Sequence, residues 1–194
     1  MMNDDIYLVD YMFDTFPQLE TQNLILREIK SSDAEAIFAF FSDPEVLQYH
    51  DAEPFRNVER AHRLINTWNE RFVTRQGIRW GIARKSENII IGTCGYRLWG
   101  KPMFCAELGY ELSKPDWRKG IMTEALLSII GFAFDKMELN RIEATVMLDN
   151  NASMSLLSKL GFIEEGILRD FGYWKFEFHD LKLFSLLRRD IHIQ

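Results

Sequence analysis

The sequence predicts an α+β fold around one mixed sheet, antiparallel in its first half and carrying a parallel crossover in its second. Three observations predict it. Ile78, Trp80 and Ile82 alternate with Arg79, Gly81 and Ala83 at strand period, and two apolar runs follow closely, Ile89 to Tyr96 and Glu107 to Leu112. Turns this short join antiparallel neighbours. A strand, a helix and a further strand then succeed one another from Ala106 to Leu148 without a long loop, which marks a right-handed parallel crossover. Two runs at helical spacing precede the first meander strand, one around Ile37, Phe38 and Phe41, the other around Val58, Ala61, Ile65, Trp68 and Phe72.

In order along the chain, residues 1–15 form an N-terminal extension with an acidic start and aromatic residues that pack on the body or on a partner, and 16–194 form a single domain. Leu24 to Ile29 reads as the first strand. Ser32 with Glu35 reads as a capping box for the first helix, and Asp43-Pro44 ends it. Asn57 caps the second helix. Ser86-Glu87-Asn88 and Trp99-Gly100-Lys101-Pro102 turn the chain between meander strands. The run Ala125 to Met137 is a helix, Ile142 to Leu148 a strand, and Asp149 to Ser153 caps a short helix that ends at Gly161. Phe162 to Arg169 and Leu181 to Leu187 close the sheet, joined by Asp170 to Asp180. The aromatic stretch Phe171 to Phe178 reads equally as core or as an interface.

The composition excludes several classes. Net charge is -6, with 47% apolar and 27% charged residues, so broad nucleic-acid binding is not expected. No apolar run reaches the roughly 18 residues of a membrane span. The start, Met1-Met2-Asn3-Asp4-Asp5, lacks a basic-then-apolar signal pattern, and a cytoplasmic protein is expected. Cys94 and Cys105 read as buried reduced thiols, and the four histidines show no metal-ligand spacing, so no metal is expected.

One stretch carries chemistry. Trp117-Arg118-Lys119-Gly120-Ile121-Met122-Thr123-Glu124-Ala125 is a strand–turn–helix junction with a glycine in the turn. The first N–H groups of a helix lack partners within it and lie at the positive end of its dipole, which suits a phosphate. Arg118 and Lys119 add two cations, and Gly120 admits an anion close to the backbone.

The order of these elements, from 19 to 189, resembles the GNAT superfamily of N-acetyltransferases, and within it the RimJ/RimL type that acetylates ribosomal protein N-termini. The resemblance rests on Leu24-Ile25-Leu26-Arg27, Ile91-Gly92-Thr93, Ala106 to Leu112, Gly120 to Ala125, Asn150-Asn151-Ala152-Ser153, Leu160-Gly161-Phe162, Glu165-Gly166 and His179-Asp180. It implies a mostly antiparallel sheet flanked by about four helices and splayed at an acetyl-CoA site. Acetyl-CoA is the cosubstrate so implied. Its pyrophosphate would lie on Trp117, Arg118, Lys119, Gly120, Ile121, Met122 and Thr123, with Met122 standing where the family often has Gly or Ala. Its pantetheine arm would run beside the strand before the turn, with Leu112 and Ser113 making the backbone contacts nearest the phosphates, and Asn150 and Ser153 would add contacts from the short helix.

Transfer to an amine needs a base, an oxyanion donor and a proton for the thiolate. Glu107 and Glu111 lie on one face of their strand, and either can serve as base. The glutamate that some Rim-type enzymes place near the last strands falls at Gly172 here, which moves weight to Glu107 or to a water chain. Ser153 matches the family serine that is a candidate to protonate the thiolate, with capping or a pantetheine contact as its alternative role; Tyr110, which reads equally as core, and Tyr173 are further candidate donors. The acceptor expected is a primary amine, a protein N-terminus of the ribosomal type first, a polyamine or aminoglycoside second. A non-catalytic acyl-CoA-binding module is the reading from a different class. No direct nucleic-acid or membrane partner is expected, and the chain reads as a monomer or homodimer.

Overall fold

The computed structural model describes residues 15–100 and 103–191. The N-terminal extension, Thr15 apart, and Lys101-Pro102 of the expected turn lie outside these residues. The described chain forms one mixed sheet with helices on both faces. Strands β1 (Leu19–Glu20), β2 (Leu24–Arg27), β3 (Gly77–Arg84), β4 (Ile90–Gly100), β5 (Cys105–Leu112), β6 (Arg141–Met147), β7 (Ile163–Trp174) and β8 (Glu177–Leu187) stand in the order β1-β2-β3-β4-β5-β6-β8-β7. The helices are α1 (Ala34–Phe41), α2 (Val58–Val73), α3 (Ile121–Asp135) and α4 (Asn151–Lys159).

Every neighbouring pair is antiparallel except β5–β6, the parallel crossover through α3. That crossover holds at only three positions, Cys105 with Arg141, Ala106 with Ile142 and Glu107 with Glu143. Beyond them β5 and β6 diverge, so the sheet is splayed as expected.

Alternation along each strand divides the interior in two. On one face Trp80, Cys94, Tyr96, Ala106, Leu108, Ile142 and Ala144 pack with Ala125, Leu126 and Ile129 of α3. Trp80 is fully buried there, in ring contact with Phe16, Tyr96 and Phe132, and its indole N–H donates to the Pro17 carbonyl at 2.7 Å. On the other face Ile29, Ala83 and Ile90 meet Ile37, Phe40 and Phe41 of α1 and Ala61 and Ile65 of α2.

Several local expectations are corrected. The capping box on Ser32 and Glu35 is not what starts α1; a 3-10 turn, Ser31–Asp33, precedes it. Asp33 instead accepts the Lys30 N–H at 2.8 Å and binds Arg27 with both carboxylate oxygens at 2.9 Å, a stronger fixture than a serine cap. The helix expected from Ala125 starts four residues earlier, at Ile121, because Gly120 takes the cap position. Pairing of Gly100 with Cys105 carries β4 into the expected turn. Cys105 is only partly buried, unlike Cys94. The segment expected as a connection from Asp170 to Asp180 is a continuous hairpin of β7 and β8, and Phe171, Tyr173, Phe176 and Phe178 along it are exposed rather than core.

The cap at Asn57 is present: its side chain accepts the Arg60 N–H at 3.3 Å. Asn57→Ala leaves that N–H without a partner and lowers stability by about 1 kcal/mol. Chemical denaturation checks it, with Asn57→Ser expected to stay near wild type.

Candidate active site

The site is built where β5 and β6 part. The Ser113 N–H donates to the Ile91 carbonyl at 2.8 Å, so alternate residues Ser113, Glu111 and Gly109 turn their backbone groups toward β4. Leu108, Tyr110 and Leu112 therefore turn theirs toward β6, where pairing has ended at Glu107. On the facing strand, Arg188 N–H donates to the Asn140 carbonyl, which sets the opposite parity for β6. Thr145 and Met147 then face the gap. The result is two unpaired strand edges inside the sheet, opening toward the C-terminal end of β5 and the turn that follows.

That turn is held by side chains. Asp116, 6% exposed, forms ion pairs with Arg84 and with Lys119, the latter at 3.7 Å, and accepts the Ser113 hydroxyl at 3.1 Å. The Trp117 indole N–H donates to the Leu112 carbonyl at 2.7 Å. Arg118 and Gly120 both take positive φ, 59° and 78°, so the chain reverses and enters α3. The backbone N–H groups of Arg118 through Thr123 donate to no acceptor among the described residues, while that of Glu124 donates to the Gly120 carbonyl. A Cβ at Gly120 would meet nothing within 4 Å, which leaves these donors unshaded. Ile121 and Met122 are buried, so the methionine turns into the core and away from the anion side of the turn. Glu124 accepts from the Asn23 backbone and side chain at 2.8 and 3.0 Å, anchoring the start of α3 on the β1–β2 connection.

The structure separates the expected site residues onto two faces of the gap. Tyr110 and Ser153 lie on the α3 face, their hydroxyls 2.6 Å apart, and Ser153 N–H donates to the Asn150 side chain at 3.1 Å. Burial pushes the Tyr110 hydroxyl up to about 12, against a lowering by the Ser153 bond, so it stays protonated. Asn150 is spent as the cap of α4. Of Leu112 and Ser113, only Leu112 faces the gap, since the Ser113 N–H and hydroxyl are both engaged. Tyr173 lies exposed on the hairpin, and nothing joins it to the Tyr110–Ser153 pair.

Glu107 and Glu111 lie on the opposite face. Glu107 accepts from Arg97 at 2.6 Å and from the Thr145 hydroxyl at 3.2 Å, spanning the mouth of the gap. Glu111, with its side chain 9% exposed, is paired with Arg79 and accepts the Thr93 hydroxyl at 2.6 Å. Arg79 also donates to Thr93 at 3.0 Å and lies against Trp68 of α2. Room for it comes from Gly109, where a Cβ would stand 3.0 Å from the guanidinium. Burial raises the Glu111 carboxyl, but Arg79, His50 and the Thr93 bond outweigh it and hold the group below the ordinary glutamate value. Sequence reading missed Arg79 and Thr93 as partners of Glu111, since the three sit on three strands and no spacing links them. It also missed the pairing of Tyr110 with Ser153.

The acetyltransferase (GNAT) domain family matches residues 23–163. This chain is a GNAT acetyltransferase. It is 40% identical over 173 residues to the Bacillus subtilis protein named Uncharacterized N-acetyltransferase YoaA, covering 89% of this chain and 98% of that one. It is 28% identical over 171 residues to the [Ribosomal protein uS5]-alanine N-acetyltransferase of Escherichia coli, covering 81% of this acetyltransferase and 86% of that one. The crystal structure of the ribosomal-protein-S5-alanine acetyltransferase from Vibrio fischeri superposes with a TM-score of 0.74 at 28% identity, over 90% of this acetyltransferase and 98% of that chain. No helix among the described residues is long and apolar enough to cross a membrane.

Proposed function

We propose that this acetyltransferase moves an acetyl group from acetyl-CoA to a primary amine, with a protein N-terminus as acceptor. The observation that carries the proposal is the parting of β5 and β6 after Glu107 and Glu143, which opens toward a turn with six unspent N–H groups. The residues present fit the donor: Arg118 to Thr123 would hold its phosphates, and the edges of β5 and β6 its extended arm, as they would a further strand. Bound there, acetyl-CoA supplies an activated thioester carbonyl.

The protein's own groups do the rest. A backbone N–H of the β5 edge, from Leu108 or Tyr110, stabilises the carbonyl oxygen as it gains charge; such a donor is worth about 2.7–4 kcal/mol. The Tyr110–Ser153 hydroxyl pair delivers a proton to the departing sulfur on the α3 face. On the other face Glu107, where the strands part, receives the cationic amine, and Glu111, fixed by Arg79 and Thr93, supplies a permanent negative charge. The likeness to ribosomal-protein S5-alanine acetyltransferases, among them those of Escherichia coli and Vibrio fischeri, supports a protein N-terminus as acceptor.

Calorimetry with acetyl-CoA, followed by assay of free thiol with N-terminal peptides, polyamines and aminoglycosides, tests the proposal. Binding with thiol release on peptides is expected. Release on small amines alone overturns the acceptor, binding without release overturns the transfer, and no binding overturns the donor site.

A further inference from the structure

We infer that His50 takes the proton from the acceptor amine, with buried Glu111 as its positioning residue. This rests on the transfer reading above. His50 lies in the segment between α1 and α2, and its Nδ1 stands 3.7 Å from Oε1 of Glu111. The segment is tied to both sides of the gap. Tyr49 donates from its hydroxyl to the Asp149 carbonyl at 3.3 Å, just past β6, and Glu45 pairs with Lys114, just past β5. His50, next to Tyr49 and in reach of β5, is therefore held across the gap on the Glu107–Glu111 face, opposite the Tyr110–Ser153 pair.

The two ring nitrogens have different surroundings. Nδ1 faces a carboxylate that is 9% exposed, while Nε2 makes no hydrogen bond among the described residues and the side chain is 27% exposed. A carboxylate 3.7 Å from one nitrogen attracts the imidazolium that forms and leaves the other nitrogen free to accept a proton. The carboxylates are less suited to that task. Glu111 is committed to Arg79 and Thr93, and Glu107 to Arg97 and Thr145. Imidazole is the side chain whose proton affinity lies nearest physiological pH, where a base works best.

The step balances. The amine lone pair forms the N–C bond and the C–S bond breaks. The ammonium first gives one proton to Nε2 of His50, which passes it to solvent and frees the lone pair, and the second proton leaving nitrogen after attack replaces, through solvent, the one the sulfur takes from the Tyr110–Ser153 pair. The charged group facing His50 is Glu111 on β5, itself paired with Arg79 on β3; Arg97 on β4, which interacts with Glu107, Asp51 and Glu111, and Asp51, next in the chain, complete the charged set.

The test is the pH profile of kcat/KM with a peptide acceptor at saturating acetyl-CoA, in wild type, His50→Gln, Glu111→Gln and Glu107→Gln. His50→Gln is expected to lower kcat roughly 10²-fold or more. It should abolish the acid limb and leave acetyl-CoA affinity by calorimetry unchanged. Glu111→Gln, by removing the carboxylate that faces Nδ1, is expected to lower kcat with the KM for acetyl-CoA little changed. His50→Ala regains activity with added free imidazole. An acid limb intact in His50→Gln, or lost in Glu107→Gln while His50→Gln keeps it, overturns the inference. Wild type that turns over no amine overturns the transfer reading itself, so the two failures are distinguishable.

Discussion

Glu111→Ala is expected to lower the free energy of unfolding at neutral pH by about 3–5 kcal/mol, because removing one member of a buried ion pair strands the other. Arg79 would keep its bond to Thr93 and its contact with Trp68, yet lose the only carboxylate it is paired with among the described residues. Against a total of about 5–15 kcal/mol, such a loss is severe. The same residue sets an acid dependence. The folded protein holds the Glu111 carboxyl below its ordinary value of 4.5, so the stabilisation is fully present above that pH and is lost as pH falls through the lower, folded value. Denaturant titrations of wild type and Glu111→Gln at neutral pH and in acid check both statements. The difference between them should shrink in acid, and a constant difference would remove ionisation from the account.

Gly120→Val is expected to weaken acetyl-CoA binding at least tenfold by calorimetry while the protein stays folded. Gly120 has a φ of 78°, a conformation that costs an L-residue roughly 1–2 kcal/mol, and β-branching adds to it. A Cβ placed there meets no atom within 4 Å, so the side chain starts into open space and not into the core. The strain is relieved only by turning the chain out of the left-handed region, which re-aims the N–H groups that precede α3. A tenfold change is about 1.4 kcal/mol, within the strain available. Gly120→Ala should give a smaller loss. Unchanged affinity would remove the turn from the binding site.

Much of the scaffold was legible because its signals are local. Alternation around Trp80 gave the meander, Asn57 and Asn150 gave helix starts, and Gly120 marked the turn. The β7–β8 hairpin was not legible beyond its base. Its two-residue turn is Lys175-Phe176, with φ of 52° and 65°, a geometry that sequences ordinarily signal with Asn-Gly or Asp-Gly. In its outer half Phe171, Tyr173, Phe176 and Phe178 are exposed and Trp174 is half-buried against His179, so few core-facing apolar residues mark it. The capping box at Ser32 failed because Arg27, six residues upstream on β2, draws Asp33 into the first turn. The polar cluster of Arg79, Thr93 and Glu111 is built by register across β3, β4 and β5, and register does not appear in one sequence. Glu107 and Glu111 were both named as bases, yet nothing in their spacing told that one would be locked in a buried pair and the other left at the mouth of the gap.

The three-position seam between β5 and β6 also has a mechanical consequence. The sheet is two leaves, β1 to β5 and β6 to β8, hinged near Glu107 and Glu143 and otherwise linked by α3 and by single ties such as Tyr49 to Asp149. A molecule lying along both free edges acts as a splint, stiffening the hinge that a continuous ladder would have stiffened permanently. The three-position seam thus leaves a slot shaped for an extended, strand-like guest.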